Sequence, residues 1–334
     1  MRRALVATVV AALLLLSLAG VGEAAPLAKV RLSEVVRSVF YVPLYVAFSQ
    51  GFFEEEGLEV KLSTAWGADK GAAALVSGTV DIGFFGPEAG IYVYTQGAAN
   101  HFILFAELTA RDGSFLVGRR PEPDFQWSSL KGKTVIGARP GGVPELCLEE
   151  AIRKSGLEPF KDVNIIRNIA YTATAGAFAS GVGDYVALFE PTPSMMEKEG
   201  TGYVVASIGA AVGPTAYTAF HARADWVRNH PDLVQKFTNA IYRGMLWTQQ
   251  HEPAELVKAI EKFFPQVDQE VLLRCVTRYQ RIGAWQRTPV LSKESFYRLQ
   301  EIMIAGGELP KRVPFEKLVT NEFAERAVAA ITAP

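Results

Sequence analysis

Short apolar runs of strand length alternate with helix-like segments through the first two thirds of the chain. The strand-like runs are residues 30–36, 58–62, 80–85, 102–108, 115–117, 133–138, 163–169, 185–189 and 203–208. Segments with helical spacing lie between them, at residues 44–50, 52–56, 71–77, 87–96, 145–154, 172–180 and 190–199. This alternation predicts an α/β fold whose sheets are mostly parallel and carry helices on both faces.

After Pro231 the pattern changes to amphipathic helices, which the spacing predicts at residues 232–250, 253–264, 268–278, 292–305 and 321–330. Two segments interrupt the α/β pattern. One is polar and contains proline (119–126), and the other is extended and aromatic (215–221). We interpret them as crossings between two lobes. The first lobe is then residues 25–115 with 217–334, and the second is residues 116–216.

The N-terminus has the three-part layout of a secretory signal peptide. Arg2 and Arg3 precede an apolar run, residues 4–19, and small residues follow. We predict a signal peptide over residues 1–24 with cleavage near Ala24, and therefore an exported, periplasmic protein. The apolar run is shorter than the ~20 residues of a spanning helix. An uncleaved anchor remains the alternative.

Composition limits the function classes. A chain of 334 residues, 49% hydrophobic, can bury the cores of two domains. Its formal net charge of -1 and its lack of a basic cluster argue against a nucleic-acid partner. Cys147 and Cys275 fall in predicted helices of different lobes, so we expect no disulfide and no thiolate zinc site. The histidines are isolated, and neither HExxH nor GxSxG occurs, so no metal, cofactor or catalytic site is predicted.

Four strand-to-helix turns share one design, in which an apolar strand ends and a helix start leaves N–H groups free. They are residues 66–69, 86–88, 139–144 and 190–192. If the two halves face each other, these turns meet across one cleft, where small ligands commonly bind. The glycine-rich turn at residues 137–142 lacks the P-loop lysine and GxGxxG, so anion contact by backbone N–H is favoured over a nucleotide site.

Two carboxylates and one arginine on these turns are candidate ligand contacts. Glu88 and Glu190 are placed to accept hydrogen bonds from an amine or amide, and each is equally placed to stabilise its own helix. Arg139 is a candidate to hold a carboxylate or sulfonate in two hydrogen bonds, or is a surface arginine.

Aromatic side chains near strand ends are candidates to stack on a ligand ring, although most such residues belong to the core. Phe189 is one of these candidates. The predicted ligand-binding set is Tyr41, Trp66, Gly67, Phe85, Gly86, Glu88, Arg139, Gly142, Tyr171 and Glu190.

Five segments carry a resemblance to a known family: residues 41–47, 51–60, 76–83, 130–137 and 183–191. They resemble the periplasmic solute-binding proteins of ABC transporters for nitrate, sulfonates, taurine and thiamine-pyrimidine precursors. The resemblance covers nearly the whole predicted mature chain. The sequence lacks the cysteine-rich motif of the fungal pyrimidine synthases that share this fold.

The resemblance implies a two-lobed, type II periplasmic-binding fold with two crossovers, which closes on its ligand. It implies that the turns at Tyr41, 66–67, 86–88, 139–142 and Glu190 line the cleft. It also implies a permease and an ATPase as partners, with membrane contact only through the transporter.

The predicted function is a monomeric, non-enzymatic receptor for a small organic ligand that is sulfonate-, amino-acid- or pyrimidine-precursor-like. The alternatives are an exported enzyme that uses the same cleft and a binding module that feeds a sensor. Carboxylates together with Arg139 favour a zwitterionic or amino-pyrimidine-like ligand.

Overall fold

The computed structural model describes residues 26–331; the predicted signal peptide lies outside the described residues. Its strands are β1 (Ala28–Glu34), β2 (Leu58–Thr64), β3 (Ile82–Phe85), β4 (Phe102–Thr109), β5 (Ser114–Gly118), β6 (Thr134–Ile136), β7 (Asn164–Ile166), β8 (Tyr185–Phe189), β9 (Tyr203–Ser207) and β10 (Thr218–Arg223). They form two five-stranded sheets, ordered β2-β1-β3-β10-β4 and β7-β6-β8-β5-β9. We call the first sheet with its helices the first lobe, and the second sheet with its helices the second lobe.

The helices are α1 (Val42–Ser49), α2 (Phe52–Glu55), α3 (Ala68–Val76), α4 (Pro87–Thr95), α5 (Val143–Lys154), α6 (Thr174–Ala179), α7 (Thr192–Glu199), α8 (Ile208–Val212), α9 (Ala224–Asn229), α10 (Pro231–Gln250), α11 (Pro253–Ile260), α12 (Gln269–Ile282), α13 (Lys293–Ala305), α14 (Phe315–Leu318) and α15 (Glu322–Ala330). Proline at the first or second position starts several of them, because the missing N–H would be unbonded there in any case. The predicted α/β class is confirmed. Helices α8, α9 and α14 were not predicted from the sequence.

The two sheets repeat one topology. In the first sheet β1 pairs in parallel with β2 and β3, and β10 runs antiparallel between β3 and β4. In the second sheet β6 pairs in parallel with β7 and β8, and β5 runs antiparallel between β8 and β9. Each sheet therefore takes one antiparallel strand directly after a crossing, as a two-lobed fold with two crossovers requires.

The first crossing differs from its predicted place. Strand β4 ends at Thr109 and β5 begins at Ser114, so the chain changes sheets at residues 110–113. The polar segment 119–126, where we expected the crossing, follows β5 and is mostly exposed. Segment 115–117 pairs with two strands of the second sheet, so it belongs to the second lobe. The polar composition of residues 119–126 therefore does not mark the crossing. The second crossing, residues 213–217, overlaps the predicted segment 215–221.

Aromatic packing forms the core of the first lobe. Phe84 of β3 stacks on Phe220 of β10 at 4.4 Å between ring centroids, and Phe220 meets Phe237 of α10 edge-on at 5.1 Å. Helix α10 packs closely on α1, because a Cβ on Gly244 would lie 2.3 Å from the Pro43 carbonyl oxygen. A bulkier residue at this position would separate the two helices.

The C-terminal helices contact both lobes. Helix α12 packs on α7, where Arg278 pairs with Glu197 at 2.8 Å. Helix α13 packs on α5, where Arg298 pairs with Glu150 at 2.8 Å. Because these helices contact both lobes, their packing does not test the predicted lobe limits. The limits 25–115, 116–216 and 217–334 therefore remain a prediction.

Cys147 and Cys275 are both buried and unpaired. Within residues 26–331, no helix combines the length and the apolarity needed to span a bilayer.

Candidate ligand-binding site

A cavity of about 470 Å³ lies between the two lobes. It falls in the size range of pockets that hold small organic molecules. Its walls come from segments that follow the carboxyl ends of parallel strands in both sheets, where ligands bind in open α/β sheets. Its lining includes Val35, Val36, Tyr41, Trp66, Gly67, Ala68, Asp69, Lys70, Gly86, Glu88, Ser114, Gly137, Ala138, Arg139, Gly142, Val143, Pro144, Arg167, Asn168, Ile169, Ala170, Tyr171, Thr174, Ala187, Phe189, Tyr217 and Thr218. We call it the interlobe cavity.

The turn between β2 and α3 brings Trp66 to the cavity. Trp66 has φ +58°, a left-handed conformation that is uncommon for a bulky residue, and Gly67 follows with φ +146°. The Trp66 residue is 46% exposed although it is large and apolar. Strained backbone that holds an exposed aromatic residue at a cleft is typical of a binding site.

The turn between β3 and α4 is built around a close approach of Gly86 to Glu88. A Cβ on Gly86 would lie 2.0 Å from the Glu88 Oε2 atom, so only glycine leaves room for the carboxyl group in this position. Glu88 is 3% exposed. Its Oε1 accepts a hydrogen bond of 3.3 Å from the backbone N–H of Val143, which belongs to the other lobe. Its Oε2 has no hydrogen-bond partner among the described residues.

Burial raises the pKa of Glu88 to about 7, and the backbone N–H groups of Val143, Glu88 and Ala89 and the Arg139 charge only partly oppose this effect. A buried carboxyl group with an unpartnered oxygen at the wall of a cleft is a candidate for direct contact with a ligand. Gly86 and Glu88, which the sequence predicts as ligand contacts, therefore lie at the wall of the cavity.

Arg139 lies at the cavity and forms an ion pair with Asp69 at 2.9 Å. Asp69 belongs to the first lobe and Arg139 to the second, so the pair joins the two lobes. Both side chains are about half exposed (53% and 50%). A second link lies nearby, where the Tyr92 hydroxyl donates a 2.9 Å hydrogen bond to the Gly141 carbonyl oxygen.

Three of the predicted aromatic residues line the cavity besides Trp66. Tyr41 is 2% exposed and meets Phe84 edge-on at 4.6 Å. Tyr171 is 41% exposed and lies 6.5 Å from Phe189, measured between ring centroids. Burial raises the pKa of the Tyr41 hydroxyl above its ordinary value, so this hydroxyl stays protonated and is available as a hydrogen-bond donor.

Phe85 does not reach the cavity, so its prediction as a ligand contact is wrong. It is fully buried in the first lobe, stacked on His221 at 4.3 Å. Successive strand residues point to opposite faces of a sheet, and helices cover both faces here. Phe84 and Phe85 therefore both enter the core.

Glu190 is the second prediction that the structure contradicts. It does not line the interlobe cavity, and both of its carboxylate oxygens are already occupied. Its Oε2 accepts from the Ser194 backbone N–H at 3.0 Å, and its Oε1 accepts from the Ser194 hydroxyl at 2.9 Å. Arg278 forms an ion pair with it from α12. Glu190 is thus a structural carboxylate, the alternative that the sequence left open.

Sequence reasoning missed several polar residues of the cavity. Arg167 lies just after β7, at a strand end like those of the recognised turns. Its position after an apolar strand could have identified it as a candidate ligand contact. Lys70 directly follows the recognised turn 66–69. Ser114 and Tyr217 lie at the two crossings, and no local pattern marks them. The remaining missed polar residues are Asp69, Asn168, Thr174 and Thr218.

Comparison with known proteins defines the class. Residues 40–255 match the family described as NMT1/THI5 like, and the chain belongs to this family. The protein YtlA of Bacillus subtilis (strain 168), which is named as a binding protein without a stated ligand, is 42% identical over 316 residues, and the match covers 95% of each chain.

Two solved structures show the same fold. The alkanesulfonate-binding protein SsuA from Xanthomonas axonopodis pv. citri, bound to MOPS, superposes with a TM-score of 0.71 at 19% identity, covering 89% of this chain and 100% of that chain. The periplasmic nitrate-binding protein NrtA from Synechocystis PCC 6803 gives a TM-score of 0.71 at 18% identity, covering 92% of this chain and 90% of that chain. The architecture is therefore that of the periplasmic binding proteins, as the sequence resemblance implied.

Proposed function

We propose that this chain is an exported receptor that captures a small organic solute in the interlobe cavity and delivers it to an ABC importer. The observation that carries the proposal is the cavity itself, about 470 Å³ in volume and walled by strand-end turns of both lobes. A ligand held there touches both lobes at once, so its binding energy favours the closed arrangement of the lobes over an open one.

The cavity lining supports an organic solute. Trp66, Tyr41, Tyr171 and Phe189 offer aromatic surface, while Glu88 and the cations Arg167 and Lys70 offer polar contacts. A pocket that is mainly apolar and has a few convergent polar groups is suited to a small organic molecule. The proposed ligand types remain sulfonate-, amino-acid- and pyrimidine-precursor-like molecules.

Location and partners are part of the same proposal. A signal peptide over residues 1–24 would place the receptor in the periplasm, the location stated for NrtA. There the closed receptor would dock on a permease that an ATPase drives. Its role would be binding and release of an unchanged solute.

Native mass spectrometry of the mature chain, purified without denaturation, tests solute capture. We expect a bound small molecule whose mass is lost after unfolding and refolding. Trp66→Ala removes the exposed aromatic wall and should lower the retained fraction about tenfold or more. Leu273→Ala is the matched control, because Leu273 is a 40% exposed apolar residue on α12 that does not line the cavity.

A second measurement tests delivery to a transporter and tests whether the receptor converts the captured molecule. The captured molecule should be released unchanged, and the loaded receptor should stimulate ATP hydrolysis by a permease–ATPase complex encoded beside it. Conversion of the molecule by the receptor alone would indicate an enzyme. Absence of any captured molecule, together with equal behaviour of the Trp66→Ala and Leu273→Ala variants, would show the proposal to be wrong.

A further inference from the structure

The N-termini of two helices from opposite lobes meet at Glu88. Helix α4 of the first lobe begins at Pro87, and helix α5 of the second lobe begins at Val143. The Glu88 carboxyl group belongs to the first turn of α4 and accepts a hydrogen bond from the first N–H of α5. Helix N-termini attract anions through their free N–H groups and their dipoles. Here the chain supplies that anion from its own side chain.

A second observation points to a ligand. The Glu88 side chain is almost fully buried and lines the cavity, yet its Oε2 has no partner among residues 26–331. In its ionised form the Glu88 carboxylate only accepts hydrogen bonds, so a ligand group that pairs with that form must be a donor. Leaving such an oxygen unpaired costs about 1–3 kcal/mol.

We propose that Glu88 is a built-in anion that selects ligands with a cationic N–H donor, such as an amine or amidine, and rejects oxyanions at this end of the cavity. This inference rests on the proposed function and specifies the chemical class of its ligand. An oxyanion placed beside Glu88 would set two negative charges side by side in a site of low dielectric, which is unfavourable.

The other charges of the cavity suit a ligand that also carries an acceptor group. Arg139 is already neutralised by Asp69 at 2.9 Å. Arg167 lines the cavity; its guanidinium lies 4.3 Å from the centroid of the Phe160 ring and has no carboxylate within 4.0 Å among the described residues. An aminoheterocycle or a zwitterion would place its donor group against Glu88 and its acceptor or anionic group toward Arg167.

The titration of Glu88 supplies a further readout. Four titratable groups surround it: Arg139, Tyr41, Tyr92 and Cys147. Its pKa is about 7, so part of the population is protonated at neutral pH. Binding of a cation would favour the ionised form, release a proton, and become tighter as the pH rises from 6 to 8.

Two probes of the same shape and opposite charge test the proposal. Benzamidine presents an aromatic ring with a cationic N–H donor, and benzenesulfonate presents the same ring with an oxyanion. Calorimetry on the mature chain should show tighter binding of benzamidine, with proton release at pH 7. Glu88→Gln keeps an oxygen that accepts from Val143 but removes the charge, so benzamidine binding should weaken about tenfold or more. Glu88→Ala should bind benzenesulfonate more tightly than the wild-type chain does.

Glu145→Gln is the matched control. Glu145 lies in the first turn of α5, is fully buried, has a pKa of about 7 through burial, and leaves its Oε1 unpartnered, but it does not line the cavity. It should leave the benzamidine affinity unchanged. Tighter wild-type binding of benzenesulfonate, or equal probe binding by the Glu88→Gln variant, would overturn this inference and keep the receptor proposal. If neither probe binds at millimolar concentration and no captured molecule is found, both proposals fail.

Discussion

Glu88 and Glu190 both lie at strand-to-helix turns and have different surroundings: Glu88 is the second residue of α4, and Glu190 lies two residues before α7. Each follows a buried strand and comes at the start of a helix, and both are almost fully buried, at 3% and 1% exposure. Glu190 forms an ion pair with Arg278 and accepts two hydrogen bonds from Ser194. Glu88 accepts a hydrogen bond from Val143 of the other lobe, its Oε2 has no hydrogen-bond partner among the described residues, and the residue lines the interlobe cavity.

The difference comes from what packs against each turn. Helix α12 crosses α7 and brings Arg278 to Glu190. The turn that carries Glu88 faces the opposite lobe and the cavity, where no arginine pairs with it among the described residues. The comparison shows that a buried carboxylate near a helix start gains an ion pair or stays without one according to its distant neighbours.

Removing Arg278 tests the ion pair at Glu190, and we expect it to have the largest effect. Arg278→Met leaves the Glu190 carboxylate buried without its counter-charge, and we expect a loss of about 3–5 kcal/mol in the free energy of unfolding. Urea denaturation at pH 8 measures it. A loss below about 1 kcal/mol would mean that Glu190 does not depend on this pair.

Removing the charge of Glu88 should act in the opposite direction. Burial raises its pKa from 4.5 to about 7, so the folded chain binds this proton more tightly than the unfolded chain does. The resulting stabilisation is complete below about pH 4.5 and is lost as the pH rises through 7. Glu88→Gln should therefore be more stable than the wild-type chain by about 2–3 kcal/mol at pH 8 and similar at pH 4.5. Thermal unfolding across this pH range checks the sign, with Glu190→Gln expected to destabilise at pH 8.

The close approach at Gly86 provides a finer test of the Glu88 position. Gly86→Ala introduces a Cβ that meets the Glu88 Oε2 at 2.0 Å and displaces the carboxyl group, at a cost of about 1–2 kcal/mol. Benzamidine affinity should fall together with stability. Gly176→Ala is the control, because no atom lies within 4 Å of its added Cβ and alanine favours the helix. Equal effects of the two substitutions would contradict the packing argument.

The smallest expected effect is at the Asp69–Arg139 ion pair. Both partners are half exposed, so Arg139→Ala should change the free energy of unfolding by less than about 1 kcal/mol. Because the pair joins the lobes, its loss should instead speed ligand release. Stopped-flow tryptophan fluorescence measures that rate, and the Trp66→Phe variant identifies the part of the signal that comes from Trp66 rather than from the other four tryptophans. An unchanged release rate at low salt would show that the pair does not help to hold the lobes together.

Much of the fold was predictable because strands and helices leave a periodic signature. The apolar runs and the proline and glycine signals located nine of the ten strands and most of the helices among the described residues; strand β10 was instead interpreted as part of a crossing. The first crossing was misplaced because strand β5 is short, and its pairing depends on residues 67–75 positions away in β8 and 85–92 positions away in β9. Helices α8, α9 and α14 have only five, six and four residues, too few for a periodic pattern.

The cavity residues on strand-to-helix turns were predictable from the sequence. Those whose place depends on contacts between distant segments were not. Trp66, Gly86, Glu88 and Arg139 line the interlobe cavity because strand-to-helix turns meet at the edge of an α/β sheet, and their contact with a ligand stays a prediction. Ser114 and Tyr217 were missed because the crossings carry no local signal.

By itself, the sequence determined the α/β class, the turns that reach the cleft and the family resemblance, since all three depend on local periodicity and on recognisable segments. Only the tertiary structure decided which of two similar carboxylates stays free. The reason is physical: the pairing of a buried charge depends on atoms brought within about 4 Å by packing. Arg278 is 88 residues from Glu190 in the chain and forms an ion pair with it, whereas Glu88 accepts a hydrogen bond from the Val143 N–H of the other lobe and lines the interlobe cavity.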